Sequence, residues 1–89
     1  MVHVTFTQSI QHHVPAPPRE VAGATVRDAL EQVFAQEPRL RGYVLDDQGE
    51  LRKHVVVFVD GMQIEDRVTL RDRLAPSARI HVMQALSGG

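Results

Sequence analysis

The final five residues of the sequence, 85–89, offer the chemistry that stands out in this chain. They read Ala-Leu-Ser-Gly-Gly. Because Gly88 and Gly89 lack a Cβ atom, they can pass through a slot that is too narrow for any side chain. The Gly89 carboxylate is anionic near neutral pH and inert by itself, but an enzyme could activate it on its own surface. An end without function is the alternative, since terminal residues are commonly poorly ordered.

The five histidines offer a second possible chemistry, metal binding or proton transfer. His12 and His13 are adjacent, so on a strand their side chains would point to opposite faces and could not share one metal ion. His3 and His81 would become neighbours if the first and last strands paired, which leaves adventitious metal binding open there. Surface histidines on a sheet are the simpler interpretation, and we predict no metal site.

Other catalytic arrangements are missing from the sequence. There is no cysteine, so the chain has no disulfide, no thiolate zinc site and no cysteine nucleophile of its own. The serines lie in no nucleophile elbow, and neither a glycine-rich phosphate-binding loop nor a pair of carboxylates suited to acid–base catalysis is apparent. We therefore expect this chain to catalyse no reaction by itself.

Composition narrows the class of partner. A chain of 89 residues with 43% hydrophobic content forms one domain. Its net charge of −1, with basic and acidic residues spread along the chain, argues against nucleic acid as a partner. The first residues do not resemble a signal peptide, and no apolar stretch reaches membrane-spanning length. These features predict a cytoplasmic protein that binds neither nucleic acid nor a membrane.

The first part of the chain is predicted to form two strands. Val2, Val4 and Phe6 alternate with polar residues, which is the period of a strand with one buried face. Residues 9–14 are predicted as a second strand paired back on the first, and the proline-rich residues 15–18 end it. We interpret residues 15–18 as a stiff loop, with a proline-rich docking ligand as the alternative.

One strong helix is predicted over residues 25–36. Thr25 is a good N-cap, Asp28 favours the first turn, and Pro38 stops the helix. Apolar side chains recur along one stripe of this helix, at Val26, Leu30, Val33 and Phe34. The helix is therefore expected to close the core.

The second half of the chain is predicted to be mostly strands. Residues 43–45 and the chain from Leu51 would flank a turn at 46–49, which lacks the ligand pattern of a calcium loop. Residues 54–59 are apolar on both faces and predict a central strand. Asp60-Gly61 is a hairpin signal that leads into a short strand at 62–64. The final strand is predicted over 79–85, after irregular structure at 68–74.

This order of elements predicts an α+β fold, with one main helix packed on one face of a mixed sheet of four or five strands. In a β-grasp topology the first and last strands are parallel neighbours at the centre, and the helix makes the crossover. We expect residues 1–85 to form this domain and residues 86–89 to form a flexible tail.

The predicted sheet leaves an apolar surface without a cover. If Val55 and Val57 face the helix, then Val56 and Phe58 lie on the opposite face, where Met83 joins them. Exposed apolar patches often mark the surface that binds a partner. The alternative is that the long connections fold over this face.

The strand and turn at residues 57–61, the terminal strand and the Gly-Gly tail together resemble the ubiquitin-like sulfur-carrier (MoaD/ThiS) family. Its members include the small subunit of molybdopterin synthase, the sulfur carrier of thiamine biosynthesis and the carrier of a cysteine-synthesis route. The resemblance spans nearly the whole chain, and the tail is its most specific part. Residues 46–50 and the following 52–54 depart from the compact molybdopterin subunit and look closer to the cysteine-synthesis or secondary-metabolite carriers.

The resemblance implies a mechanism in which Gly89 reacts. A partner activating enzyme would use ATP to adenylate the Gly89 carboxylate, and a sulfur-donor enzyme would convert it to a thiocarboxylate for a sulfur-accepting synthase. No cofactor would be bound permanently. Gly88, Ser87, Leu86 and Ala85 would give the tail its access to the partner enzymes.

The body of the domain would dock through Val56, Phe58 and Met83. Two other classes of function stay open at this point. The chain is either a protein modifier joined to target lysines through Gly89, or a plain interaction module with an inert tail.

Overall fold

Five strands and three helices make up residues 1–84, the part of the chain that the computed structural model describes. The strands are β1 (Val2–Phe6), β2 (Arg19–Val21), β3 (Val55–Val59), β4 (Met62–Gln63) and β5 (Arg79–Gln84). The helices are α1 (Gln8–Gln11), α2 (Val26–Gln36) and α3 (Pro38–Val44).

The strands form one mixed sheet in the order β2-β1-β5-β3-β4. β1 and β5 are parallel, with Val4 paired to Ile80, and the other neighbouring pairs are antiparallel. The core lies between this sheet and α2, where Val4, Ile80 and Leu30 are fully buried. Burial of each such side chain contributes roughly 1.5–3 kcal/mol before ordering costs. The predicted α+β fold and its β-grasp topology are confirmed.

Helix α2 forms as the sequence predicts. The Thr25 hydroxyl accepts a hydrogen bond from the backbone N–H of Asp28 at 3.2 Å, which caps the helix. The buried stripe comprises Val26, Ala29, Leu30, Val33 and Phe34. Ala29 was not among the predicted positions; its small side chain lets the backbone of Gly23 approach closely.

The prediction of a strand at residues 9–14 is wrong. The chain turns into α1 directly after β1, and the backbone N–H of Val14 donates to the carbonyl of Ile10 at 3.2 Å, as in a helical turn. The antiparallel partner of β1 is β2, with Val2 opposite Val21. Residues 15–18 form the connection that carries the chain to it.

The prediction of a strand at residues 43–45 is also wrong. Pro38 ends α2 but also starts α3, because the first turn of a helix needs no N–H from that residue. Leu40 and Val44 are fully buried at a spacing of four, so α3 has a helical apolar face. Leu45 only bridges to Leu51, across the predicted turn at 46–49.

The hairpin between β3 and β4 has the predicted turn at Asp60-Gly61. Asp60 and Gly61 both have positive φ, 51° and 85°, as a two-residue hairpin of the predicted kind requires. β3 begins at Val55 and lies beside the centre of the sheet, because β5 pairs with both β1 and β3 and takes the central place.

Two glycines provide a matched test of packing. A Cβ atom on Gly23 would lie 2.7 Å from the backbone nitrogen of Ala29, whereas one on Gly42 in α3 would meet nothing within 4 Å. Gly23→Ala is expected to lower the free energy of unfolding by about 1–3 kcal/mol. Gly42→Ala is expected to raise it by about 0.5–1 kcal/mol, because alanine favours the helix. Urea unfolding measures both, and a similar effect from the two substitutions would contradict this account of the packing.

The irregular segment 65–74 is organised by the Asp66 carboxylate. It accepts hydrogen bonds from the backbone N–H groups of Val68, Thr69 and Arg71 and from the Thr69 hydroxyl. The Thr69 hydroxyl and then these N–H groups hold the pKa of Asp66 well below its usual range. This turn places Leu70, fully buried at a φ of 58°, against the core.

The lowered pKa of Asp66 predicts a pH dependence of stability. The ionised Asp66 carboxylate contributes its full stabilisation of the fold at neutral pH. This contribution is lost as the pH falls below about 4 and the carboxylate becomes protonated. Asp66→Asn is therefore expected to be less stable than wild type at pH 7 and to lose less stability on acidification. Denaturant midpoints measured between pH 7 and pH 2 test this. Parallel curves for the two proteins would rule out Asp66 as a contributor.

Candidate functional site

The sheet has an outer face, which lies opposite α2 and is formed by alternate residues of β1, β3 and β5. The register places Val56 opposite Met83 and Phe58 opposite His81, and Thr5 is the neighbour of His81 on β1. All five side chains are partly exposed, whereas alternate residues of the same strands are buried in the core. The three residues predicted to dock a partner therefore lie together on one accessible surface.

The outer face carries an open depression of about 510 Å³. Phe58, Ile80 and Met83 contribute to its lining, and His3, Arg79 and Asp60 stand at its polar parts. An apolar depression with a few polar groups at its margin is suited to receive a side chain from another protein.

The histidines on this surface have separate partners. The Thr5 hydroxyl lies 2.7 Å from Nδ1 of His81, and Nδ1 of His3 lies 3.6 Å from a carboxylate oxygen of Glu20. Within residues 1–84, no three histidine, aspartate or glutamate side chains come together as a metal site. His81 lies on the central strand of the outer face, between Thr5 and Phe58, and His3 lies near Glu20 of β2.

A larger depression of about 790 Å³ lies elsewhere, between the start of α2 and the loops that contain Gly49 and Val68. Side chains of both charge signs line it. Arg27 links the two loops, because its Nη2 donates to the carbonyl of Gly49 at 2.7 Å and to the carbonyl of Val68 at 3.3 Å. We interpret this region as a structural contact between loops.

The base of the tail is well defined even though the tail itself lies outside the described residues. The predicted reactive and access residues Ala85, Leu86, Ser87, Gly88 and Gly89 all fall in that undescribed part. Gln84, the last described residue, ends β5 and follows Met83 of the outer face directly. Five extended residues reach at most about 17 Å, which is the upper limit for the distance from Gln84 of the predicted reactive group.

Gln84 is held by residues that sequence reasoning missed. Its side-chain oxygen accepts a hydrogen bond from the Tyr43 hydroxyl at 2.8 Å, and its backbone N–H donates to the Thr7 hydroxyl at 3.4 Å. On β3 it pairs with Val55. Tyr43 was predicted on a strand, and the sequence carried no local signal against that prediction, because the spacing of four between Leu40 and Val44 fits a strand as well as a helix.

Comparison with known proteins found a matching protein family. A family model described as the ThiS family matches residues 13–89. No curated protein matches the sequence. None of the helices in residues 1–84 is both long and apolar enough to cross a membrane.

Solved structures share the fold over nearly the whole chain. SAMP1 from Haloferax volcanii is 25% identical, with a TM-score of 0.78 and coverage of 99% of this chain and 98% of that one. A chain of the BexX/CysO complex from Amycolatopsis orientalis is 18% identical, with a TM-score of 0.84 and full coverage of both chains. CysO from Mycobacterium tuberculosis is 16% identical, with a TM-score of 0.81 and coverage of 97% and 100%. The last two likenesses concern the fold alone.

Proposed function

The chain belongs to the ThiS family, and from that premise we propose that it is a ubiquitin-like sulfur carrier whose Gly89 carboxylate is the reacting group. The observation that carries the proposal is the family match, because it extends through Gly88 and Gly89. A longer precursor, if one is made, must be trimmed to expose Gly89 before it can react.

The chemistry begins with activation by a partner enzyme. A Gly89 carboxylate oxygen attacks the α-phosphorus of ATP, pyrophosphate leaves, and an acyl adenylate forms. This mixed anhydride makes the carbonyl carbon open to attack, because AMP is a far better leaving group than oxide. The carrier contributes the carboxylate and a tail narrow enough to reach the ATP.

Sulfur then replaces the adenylate. Sulfide attacks the carbonyl carbon and releases AMP, leaving a thiocarboxylate. Alternatively, the terminal sulfur of a partner's persulfide forms an acyl disulfide, which a thiol reduces to the same thiocarboxylate. The nucleophilic sulfur is delivered in the pocket of a sulfur-accepting synthase. ATP is thus consumed by the partner, and the carrier holds no permanent cofactor.

The outer face is the surface proposed to bind these partner enzymes. Val56, Phe58 and Met83 offer apolar area that is only partly buried in the isolated chain. Met83 also adjoins the base of the tail, so a partner that covers the outer face can reach Gly89 in the same complex. Burial of aromatic and methionine side chains is typical of the centre of such interfaces.

The proposed acceptor is an enzyme of cysteine or secondary-metabolite synthesis. The turn at 46–49 sets this chain apart from the compact molybdopterin subunit, and the fold likeness to CysO and to a chain of the BexX/CysO complex agrees with this choice. The gene neighbours of the protein test it, since a cysteine-synthase-like or biosynthetic enzyme should lie among them.

A second candidate function is protein modification, in which Gly89 is joined to the side-chain amine of a target lysine. The likeness to SAMP1 of Haloferax volcanii, described as a small archaeal modifier protein, favours it. Both functions share the acyl adenylate and differ only in the nucleophile that replaces AMP.

One experiment separates the candidates. Purified full chain is incubated with ATP, radiolabelled sulfide and an extract of its own cells, and the intact mass is then measured. Sulfur carriage predicts ATP-dependent label and a mass gain equal to exchanging one oxygen for sulfur at Gly89. Modification predicts isopeptide-linked adducts on other proteins. The extract is prepared from growing cells, so that the partner enzymes are active. If neither product forms in it, the proposal of an activated tail is wrong.

A further inference from the structure

The last described residue of β5 is fixed by three other parts of the fold. Gln84 pairs with Val55 on β3, its N–H faces the Thr7 hydroxyl, and its side-chain oxygen accepts the Tyr43 hydroxyl at 2.8 Å. Thr7 is itself bound to the end of the strand, because its N–H donates to the carbonyl of Val82 at 3.0 Å. Of these contacts, the one from Tyr43 reaches the side chain of Gln84 and crosses from the helical layer.

The Tyr43 ring is held in place on both sides. The ring of His13 stacks on it at a centroid distance of 5.3 Å, and the ring of His54 meets it edge-on at 6.3 Å. The helix that carries Tyr43 is also anchored, since Arg52 Nε donates to the carbonyl of Gly42 at 2.8 Å. The hydroxyl of Tyr43 is therefore aimed at Gln84 by packing, and little ordering entropy is lost when the hydrogen bond forms.

From this geometry we propose that Tyr43 is a positioning residue for the activation of Gly89. Its hydrogen bond to Gln84, which we call the latch, holds the last described residue before the tail. This inference rests on the proposed function and deepens it. The latch joins the tail base to the helical layer, whereas Val56, Phe58 and Met83 join the partner to the outer face.

The latch matters because the tail is short. Because five residues span at most about 17 Å, freedom of Gln84 enlarges the volume that Gly89 can sample and lowers the fraction of encounters in which its carboxylate meets ATP. Misplacement of a reacting group by about 1 Å can reduce a rate up to about 100-fold. Loss of a single neutral hydrogen bond allows Gln84 to sample other directions without abolishing the productive one, so we expect a loss of about fivefold in rate.

The test uses substitutions on both sides of the hydrogen bond. Tyr43→Phe removes the hydroxyl and keeps the stacked ring. Gln84→Leu removes the acceptor oxygen and keeps a side chain of similar size. Gln84→Glu is the matched control, because it retains an oxygen that accepts from Tyr43. The adenylating enzyme is purified from the protein's own cells, and the steady-state rate of pyrophosphate release is measured against carrier concentration.

Tyr43→Phe and Gln84→Leu are each expected to lower kcat about fivefold, with KM for the carrier within twofold of wild type. The double variant is expected to be no slower than either single one, and Gln84→Glu is expected to stay close to wild type. The proposal is wrong if Tyr43→Phe has the wild-type kcat or if the substitutions change only KM. It is also wrong if the double variant lowers kcat by the product of the two single effects. If wild-type chain itself releases no pyrophosphate, the proposed function fails, and the latch as a device for activation fails with it.

Discussion

Replacing Gly89 with alanine is expected to reduce formation of the acyl adenylate at least about 100-fold and to leave the folded domain unchanged. The activating enzyme must admit the end of the tail through a passage shaped for glycine, and a Cβ atom there displaces the carboxylate from ATP. Displacements of about 1 Å are enough for a loss of this order. Pyrophosphate release and the mass of the AMP-linked chain are the measurements.

Gln32→Ala is the control for Gly89→Ala. Gln32 is exposed on α2, on the opposite side of the fold from the outer face. We expect it to leave the adenylation rate as in wild type, and both variants should show the wild-type denaturant midpoint. Adenylation of Gly89→Ala at the wild-type rate would show that the tail is not read as proposed.

The second large effect is expected at the outer face. Phe58→Asp should raise KM for the activating enzyme about 100-fold, because a carboxylate would lose its water in the interface without gaining a partner. The rate at saturating carrier should fall little, since the tail and its base are unchanged. Because Phe58 is partly buried, the denaturant midpoint of each variant must be measured beside its kinetics.

Met62→Asp is the matched control for Phe58→Asp. Met62 pairs with Val59 and Phe58 pairs with Gln63, so the side chains of Met62 and Phe58 lie on opposite faces of the sheet. Met62 is 75% exposed, so the new charge stays in water. We expect a wild-type KM for Met62→Asp. An equal rise in KM from both substitutions would point to charge in general and would remove the outer face from the proposal.

The elements that could be predicted from sequence are those with a long pattern or a specific turn. β1 alternates strictly, α2 has a cap and a complete apolar stripe, and Asp60-Gly61 suits only a tight hairpin. The parallel pairing of the first and last strands was predicted as part of the β-grasp topology, in which the helix makes the crossover between them.

The elements that were missed are short. α1 has four residues and one buried side chain, Ile10, whereas α3 has seven residues and one buried pair, Leu40 with Val44. A pair of apolar residues four apart fits a strand as well as a helix, because both periods bring them to one face. β2 has only three residues, and pairing with β1 rather than its own composition makes it a strand.

The candidate site also has a part that could be predicted from sequence and a part that could not. Period two along β3 and β5 was enough to predict that Val56, Phe58 and Met83 share a face. The hydrogen bond between Tyr43 and Gln84 joins residues 41 positions apart, and nothing local in either segment indicates it. The roles of Leu86, Ser87, Gly88 and Gly89 rest on the resemblance of the tail and remain predictions.

The central place of β5 affects how this protein is made. Among the described elements β5 is synthesised last, yet β1 and β3 both depend on it for their backbone hydrogen bonds. A nascent chain that still lacks residues 79–84 has two separated strand groups and no continuous sheet. Folding therefore waits for translation of β5, and an unfinished chain on the ribosome offers partner enzymes no assembled surface. Only polypeptides translated as far as the base of the tail present that surface to the proposed activating enzyme.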